Sequence, residues 1–158
     1  MRYGTVLSFQ ENVEEIVDYY ASILPDLVKT QVMPHNENTG GEPGTALLVG
    51  FTLGGQTFTV MQGLPDSLTS AVSIEVRTDS QQESDRIYDA LLDGGSELAC
   101  GWVTDRYGLS WQVSPVELLD LVSDPDPQRA AAANKAMQEQ KKIDLEPIRA
   151  AANQASRS

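Results

Sequence analysis

The chain has little histidine and cysteine, and each shortage narrows the range of functions. It contains one histidine, His35, and one cysteine, Cys100, in 158 residues. Metal sites in proteins draw on clusters of histidine, cysteine or carboxylate ligands, so a histidine- or cysteine-based metal centre is disfavoured. A lone cysteine forms no disulfide within its chain, which is typical of a protein from a reducing compartment.

Basic residues and long apolar runs are also scarce. Eleven Lys and Arg stand against twenty-three Asp and Glu, which gives a formal net charge of −12 at pH 7. Such a chain is repelled by nucleic-acid phosphates and by anionic membrane surfaces. No segment reaches the roughly 20 consecutive apolar residues of a membrane-spanning helix, and the N-terminus lacks the apolar core of a secretory signal. The sequence predicts a soluble, cytoplasmic protein with neither a nucleic-acid nor a membrane partner.

The first 62 residues predict the element order β-α-β-β-β. Asn12 is positioned to cap an amphipathic helix that Pro25 ends. The polar, glycine-rich segment 35–44 is typical of a loop, and Gly54-Gly55 favours a hairpin turn. Short segments rich in β-branched residues predict the strands: 5–9, 27–33, 45–53 and 56–62.

The second half repeats this order. Ser80 is positioned to cap a helix that ends at Gly94-Gly95, and Tyr88 in this helix matches Tyr20 in the first one. Asp105 and Gly108 occupy the first and fourth positions of a predicted type I turn. The predicted strands of this half are 71–76, 97–104 and 109–113.

The chain after Pro115 predicts helices. One spans 116–122, a second is capped by Asp126 and extends to Lys142, and a third spans 144–152. The apolar faces of these helices are thin, so we expect them to pack on the sheet or on a second subunit and to brace a dimer.

Three residues with reactive side chains have ordinary interpretations. His35 lies in a polar loop and is expected to be solvated, and Cys100 is expected to be a small buried thiol. Glu75 alternates with apolar residues on its strand, so it faces either solvent or the concave side of the sheet, where its carboxylate would be a hydrogen-bond acceptor.

Aromatic residues on separate predicted strands indicate a pocket. They are Phe9, Phe58, Trp102 and Trp111. Gln112 follows Trp111 and has the opposite facing, so it supplies a donor and an acceptor to the pocket if it points into the concave side. If Gln112 points outwards, Trp111 belongs to the core and the site lies elsewhere.

The segment CGWVTDRYGLSWQVSP at 100–115 resembles the PhnB-like family of the vicinal oxygen chelate (glyoxalase/bleomycin-resistance) superfamily. The following segment LLDLVSDPDPQRAAAANKAMQEQKKIDL is similar to it as well. So are VDYYASILPD, LLVGFTLGGQTFTVMQG and AVSIEVRTDSQQESDRIYDALLDGG in the earlier part of the chain. Together these segments cover most of residues 5–145.

This resemblance implies an α+β fold of two βαβββ modules, about 1–62 and 70–115, that form a cupped mixed sheet around a pocket. The paired domain then spans 1–115, and a helical extension spans 116–158. The superfamily is commonly dimeric, so a homodimer is expected. Its metal enzymes place ligands at positions that correspond to Thr5, 59–62, Ala71 and Gln112, of which only Gln112 and Gln62 retain a ligand side chain.

The leading hypothesis is a metal-free protein without a cofactor that binds an unidentified small molecule. The expected ligand-binding residues are Phe9, Phe58, Gln62, Glu75, Trp102, Trp111 and Gln112. The alternative is a metal-dependent lyase, isomerase or dioxygenase that uses Gln62, Gln112 and Glu75. A third hypothesis is a dimeric interaction or regulatory module. The methyltransferase label that such domains carry is disfavoured, since the chain has no glycine-rich methyl-donor site on a doubly wound sheet.

Overall fold

The computed structural model describes residues 1–63 and 68–155. The chain divides into two compact units, Met1–Ser67 and Leu68–Ser158. The first unit contains β1 (Thr5–Phe9), α1 (Val13–Ile23), β2 (Val28–Pro34), β3 (Ala46–Leu53) and β4 (Gln56–Gln62). The second contains β5 (Ser73–Thr78), α2 (Gln81–Leu92), β6 (Ser96–Glu97), β7 (Trp102–Thr104), β8 (Ser110–Pro115), α3 (Glu117–Val122), α4 (Pro127–Gln138) and α5 (Leu145–Ala155).

In the first unit, four strands form a sheet in the order β1-β4-β3-β2. β1 and β4 are parallel, and the other neighbours are antiparallel. α1 begins where predicted, because the Asn12 side chain accepts a hydrogen bond from the Glu14 backbone N–H at 3.1 Å. Its apolar side chains are buried against the sheet: Val13, Ile16, Val17, Tyr20 and Ile23.

The second unit has the same topology. Its strands follow the order β5-β8-β7-β6. As in the first unit, one pair of neighbours, β5 and β8, is parallel, and the other neighbours are antiparallel. Ser80 caps α2 by accepting a hydrogen bond from the Glu83 backbone N–H at 3.2 Å, and Tyr88 is as deeply buried as Tyr20. The predicted repeat of two βαβββ modules in an α+β fold is therefore confirmed.

The predicted strand 97–104 is wrong, since residues 98–101 separate β6 from β7. Cys100 and Gly101 have positive φ angles of 58° and 80°. Their backbone N–H groups donate to the carbonyl oxygens of Gln140 and Lys141 at 2.9 and 2.6 Å, while the Gly101 carbonyl accepts from Val113 at 2.9 Å. The chain leaves the strand conformation here because its donors point to the helical extension.

The extension has a core of its own inside the second unit. Six buried side chains form this tail cluster: Leu118, Ala133, Ile143, Leu145, Ile148 and Ala152. Asp126 caps α4 as predicted, but the helix ends at Gln138, short of Lys142. The apolar faces of these helices, which the sequence predicts to be thin, therefore pack against one another within the extension.

None of the helices in the described parts of the chain is both long and apolar enough to span a membrane.

Candidate functional site

A pocket of about 180 Å³ lies in the second unit. Its floor is formed by β5, β7 and β8, and its roof by α3 and α4. Trp102 and Gln112 are directly opposite one another on β7 and β8, as are the neighbouring pair Val103 and Trp111. Since side chains alternate along a strand, the buried pair faces the side that α2 covers, and Trp102 and Gln112 face the pocket.

Three side chains form a row across the floor. Glu75 is the register partner of Gln112, which is in turn the partner of Trp102. Neighbouring strands lie about 4.8 Å apart, so a carboxylate, an amide and an indole follow one another over roughly 10 Å. We call these residues the cross-strand row. It combines a charged acceptor, a neutral polar group and an aromatic surface.

The polar members of the row have defined partners. The Gln112 amide nitrogen donates to Ser73 Oγ at 2.8 Å, and within residues 1–63 and 68–155 no hydrogen bond reaches its Oε1. Glu75 Oε1 pairs with Arg77 Nε at 2.9 Å, and both side chains are about half exposed, at 50% and 46%. An acceptor oxygen of Gln112 is therefore available to a ligand.

The rest of the pocket lining is largely apolar. The helical extension contributes Val116, Leu118, Leu119, Val122 and Met137, next to Pro115 at the end of β8 and the half-buried Cys100. The sequence predicts Cys100 as a buried thiol, but it is only half-buried and it lines the pocket. Arg149 of α5 donates two hydrogen bonds to Glu117 of α3, and this bonding lowers the pKa of the Glu117 carboxyl. The extension, which the sequence predicts to brace a dimer, supplies part of the pocket lining.

Three of the seven predicted site residues line this pocket, namely Glu75, Trp102 and Gln112. Phe9, Phe58 and Trp111 are instead buried in the cores of their units, with exposures of 4%, 4% and 1%. Phe58 stacks on Phe51 with ring centroids 5.1 Å apart. The Trp111 indole N–H donates to Asp105 at 2.8 Å. Successive side chains of a strand point to opposite faces of the sheet, and these three aromatic residues occupy positions that point to the face covered by a helix.

Gln62 belongs to the first unit and bonds to His35. The prediction that His35 is solvated is wrong. His35 is 6% exposed, its Nε2 lies 2.7 Å from Gln62 Oε1, and its Nδ1 lies 3.1 Å from Thr39 Oγ1. The ring packs against Gly41, where a Cβ atom would come within 2.4 Å of it. Hydrogen bonds within the folded loop offset the cost of burying the ring. No sequence signal links His35 to a partner 27 residues away.

The residues present do not fit the metal that the family resemblance implies. Glu75 is the one carboxylate among the described residues that line the pocket, and the amide oxygen of Gln62 is bonded to His35 in the first unit. In the parts of the chain that the structure describes, no group of three or more His, Cys, Asp or Glu side chains is arranged to hold a metal ion. Neutral amides alone bind a divalent cation weakly.

A family model and several solved structures are similar to the chain. A family model described as 3-demethylubiquinone-9 3-methyltransferase matches residues 2–114. The chain is similar to the PhnB protein from Bacillus cereus, with 27% identity, a TM-score of 0.67, and coverage of 73% of this chain and 100% of that one. Protein PA1353 from Pseudomonas aeruginosa has 21% identity, a TM-score of 0.62, and coverage of 73% and 97%. Fosfomycin resistance protein FosX from Mesorhizobium loti has 14% identity, a TM-score of 0.49, and coverage of 70% and 87%.

No curated protein matches the chain. The family model, however, spans well over half of its residues and both βαβββ modules. The chain therefore belongs to the PhnB-like family, whose model carries the description 3-demethylubiquinone-9 3-methyltransferase.

Proposed function

We propose that the protein binds a small, single-ring aromatic molecule in the pocket of its second unit, without a metal ion. The observation that carries this proposal is the cross-strand row within a largely apolar pocket lining. Pockets for small molecules combine mainly apolar walls with a few polar groups that fix orientation. A volume of about 180 Å³ suits one ring, since an apolar cavity of about 150 Å³ holds benzene.

The geometry favours binding over the reaction named in the family description. A methyl donor of nucleotide type is usually held by a glycine-rich turn at the edge of a doubly wound parallel sheet. Each unit here has a mixed sheet of four strands, and the pocket is lined by side chains of three strands and two helices. A metal-dependent lyase, isomerase or dioxygenase is disfavoured by the donor set, because Glu75 is the one carboxylate in the described part of the pocket lining and its neighbour Gln112 is a neutral amide.

Tryptophan fluorescence tests the proposal. We expect single-ring phenols such as 4-ethylphenol to change the emission of the wild-type protein, because Trp102 lies in the pocket whereas Trp111 is buried. Trp102→Phe should abolish the change, and Trp102→Ala should weaken binding about 3- to 10-fold, as expected for the loss of an aromatic pair worth about 1 kcal/mol. Titration calorimetry gives the dissociation constants.

The same titration separates this proposal from metal chemistry. Binding should be unchanged after treatment with EDTA and after addition of Mn²⁺ or Zn²⁺, because no step of the proposed recognition uses a cation. A signal change that persists in Trp102→Phe would contradict the proposed location. Binding that requires one equivalent of metal per chain, and is lost with that metal in Gln112→Ala, would contradict the metal-free site.

We also propose that the protein is a homodimer that pairs through β2. All seven residues of this strand are exposed, and it lies at the edge of its sheet. An exposed edge strand presents unpaired N–H and C=O groups to another chain, and two copies of the same edge can pair with each other.

Light scattering after gel filtration tests the dimer. Val28→Lys places a charge on β2 and should shift the mass from dimer to monomer. Val72→Lys is a matched control, because Val28 and Val72 are 58% and 57% exposed but Val72 lies outside β2. A monomeric wild type, or a Val28→Lys variant that remains dimeric, would refute the proposed interface.

A further inference from the structure

The cross-strand row narrows the class of molecule that the pocket accepts. We propose that it selects an aromatic molecule that carries a protonated amine, with the ring on Trp102 and the ammonium group on Glu75 and Gln112. This inference rests on the proposed function, because it names the ligand class of the same pocket. Its basis is which polar atoms in the row remain available.

The available atoms are acceptors. The Gln112 amide nitrogen donates to Ser73, so its carbonyl oxygen is the atom that remains for a ligand. The neighbouring Glu75 carboxylate, when ionised, offers two acceptor oxygens and no donor. An ammonium group has three donors and no acceptor, so it can bond to both residues at once. A carboxylate or phosphate would find no donor on either of these atoms.

Trp102, the third member of the row, sets the distance between the ring and the amine of the ligand. Trp102 lies one strand from Gln112 and two strands from Glu75. A ring on the indole therefore needs its amine between one and two strand spacings away, roughly 5 to 10 Å. A linker of two carbon atoms reaches the nearer end of this range. The indole face also attracts a cation that approaches it.

The Arg77 guanidinium competes with a ligand cation for the Glu75 carboxylate. Two features of the protein weaken this competition. The pairing of Arg77 with Glu75 is half exposed, and such surface ion pairs contribute little, so a ligand cation can replace the guanidinium. The excess of acidic over basic residues in the whole chain also raises the local concentration of cations.

Three probes that share a phenol ring test the inference by titration calorimetry: tyramine, 4-ethylphenol and 4-hydroxyphenylacetate. We expect tyramine to bind about 10-fold or more tightly than the neutral and anionic probes, since a hydrogen bond to a charged group contributes about 1.5 kcal/mol or more. Glu75→Gln should remove this preference. Arg77→Gln should increase it, because the carboxylate then has no competing partner.

A matched ion pair controls for net charge. Glu83 and Arg86 on α2 are paired at 2.8 Å with similar exposure, and neither lines the pocket. Glu83→Gln and Arg86→Gln change the net charge by the same amounts and should leave the preference for tyramine within about 2-fold, because exposed charges at a distance are screened.

The outcomes distinguish this inference from the proposed function. Equal binding of all three probes would leave the aromatic pocket intact and overturn the preference for amines. Tighter binding of 4-hydroxyphenylacetate that is lost in Arg77→Gln would overturn it in favour of anions. A shift in Glu83→Gln as large as that in Glu75→Gln would overturn it by assigning the preference to net charge. No binding of any probe would overturn both proposals.

Discussion

Replacement of Gly101 by alanine is expected to lower the free energy of unfolding by about 3 kcal/mol. A left-handed backbone costs a residue with a Cβ about 1–2 kcal/mol, and Gly101 has φ of 80°. The added Cβ would also lie 2.7 Å from the Val113 carbonyl oxygen and 2.9 Å from Ile143. Overpacking of this kind costs about 1–3 kcal/mol more. Urea denaturation followed by circular dichroism measures the sum.

Gly108→Ala is the matched control for this substitution. Gly108 has φ of 85°, close to that of Gly101, but a Cβ added there would have nothing within 4 Å of it. The control should therefore lose only the backbone cost of about 1–2 kcal/mol. Equal losses in the two variants would show that the contacts with β8 and the extension contribute nothing to the effect.

Asp105→Ala is expected to have an effect of similar size. This carboxylate is 3% exposed, and it accepts hydrogen bonds from the Tyr107 and Leu109 backbone N–H groups at 2.9 and 3.1 Å. It also accepts one from the Trp111 indole at 2.8 Å. Alanine leaves these donors without this acceptor, and each unsatisfied buried group costs about 1–3 kcal/mol. We expect a total loss of about 3 kcal/mol or more, measured by urea denaturation.

A double-mutant cycle isolates the bond between Asp105 and Trp111. Trp111→Phe removes the donor and keeps an aromatic ring in the core. If the bond contributes to stability, Asp105→Ala should cost less in the Trp111→Phe background by about 1 kcal/mol or more. Strictly additive losses would show that Asp105 acts on the turn alone.

Much of the fold could be predicted because its signals are local. Asn12, Ser80 and Asp126 all cap helices as expected, since capping depends on one side chain and the next few backbone N–H groups. The interruption at Cys100 and Gly101 could not be predicted in this way. It depends on carbonyl groups about 40 residues later in the chain, and no local pattern encodes that contact.

The site could be predicted only in part, because it too depends on tertiary contacts that no local pattern encodes. Alternation correctly gave Trp111 and Gln112 opposite facings, but it did not show which of them faces a pocket. The answer depends on which face α2 covers. His35 is buried in a loop where its ring bonds to Gln62 of β4, and that contact is tertiary. Residue type and spacing thus identify candidate groups, whereas tertiary contacts determine which of them lie together.

The apolar part of the pocket lining has a consequence for the evolution of recognition. The family match ends at residue 114, before α3 and α4 contribute Leu118, Val122 and Met137 to the site. Substitutions in these helices reshape the cavity without altering the sheet that defines the family. Homologues that share the modules can therefore differ in the shape of this pocket through their tails, and the family description, which rests on the modules, carries no information about that part of the site.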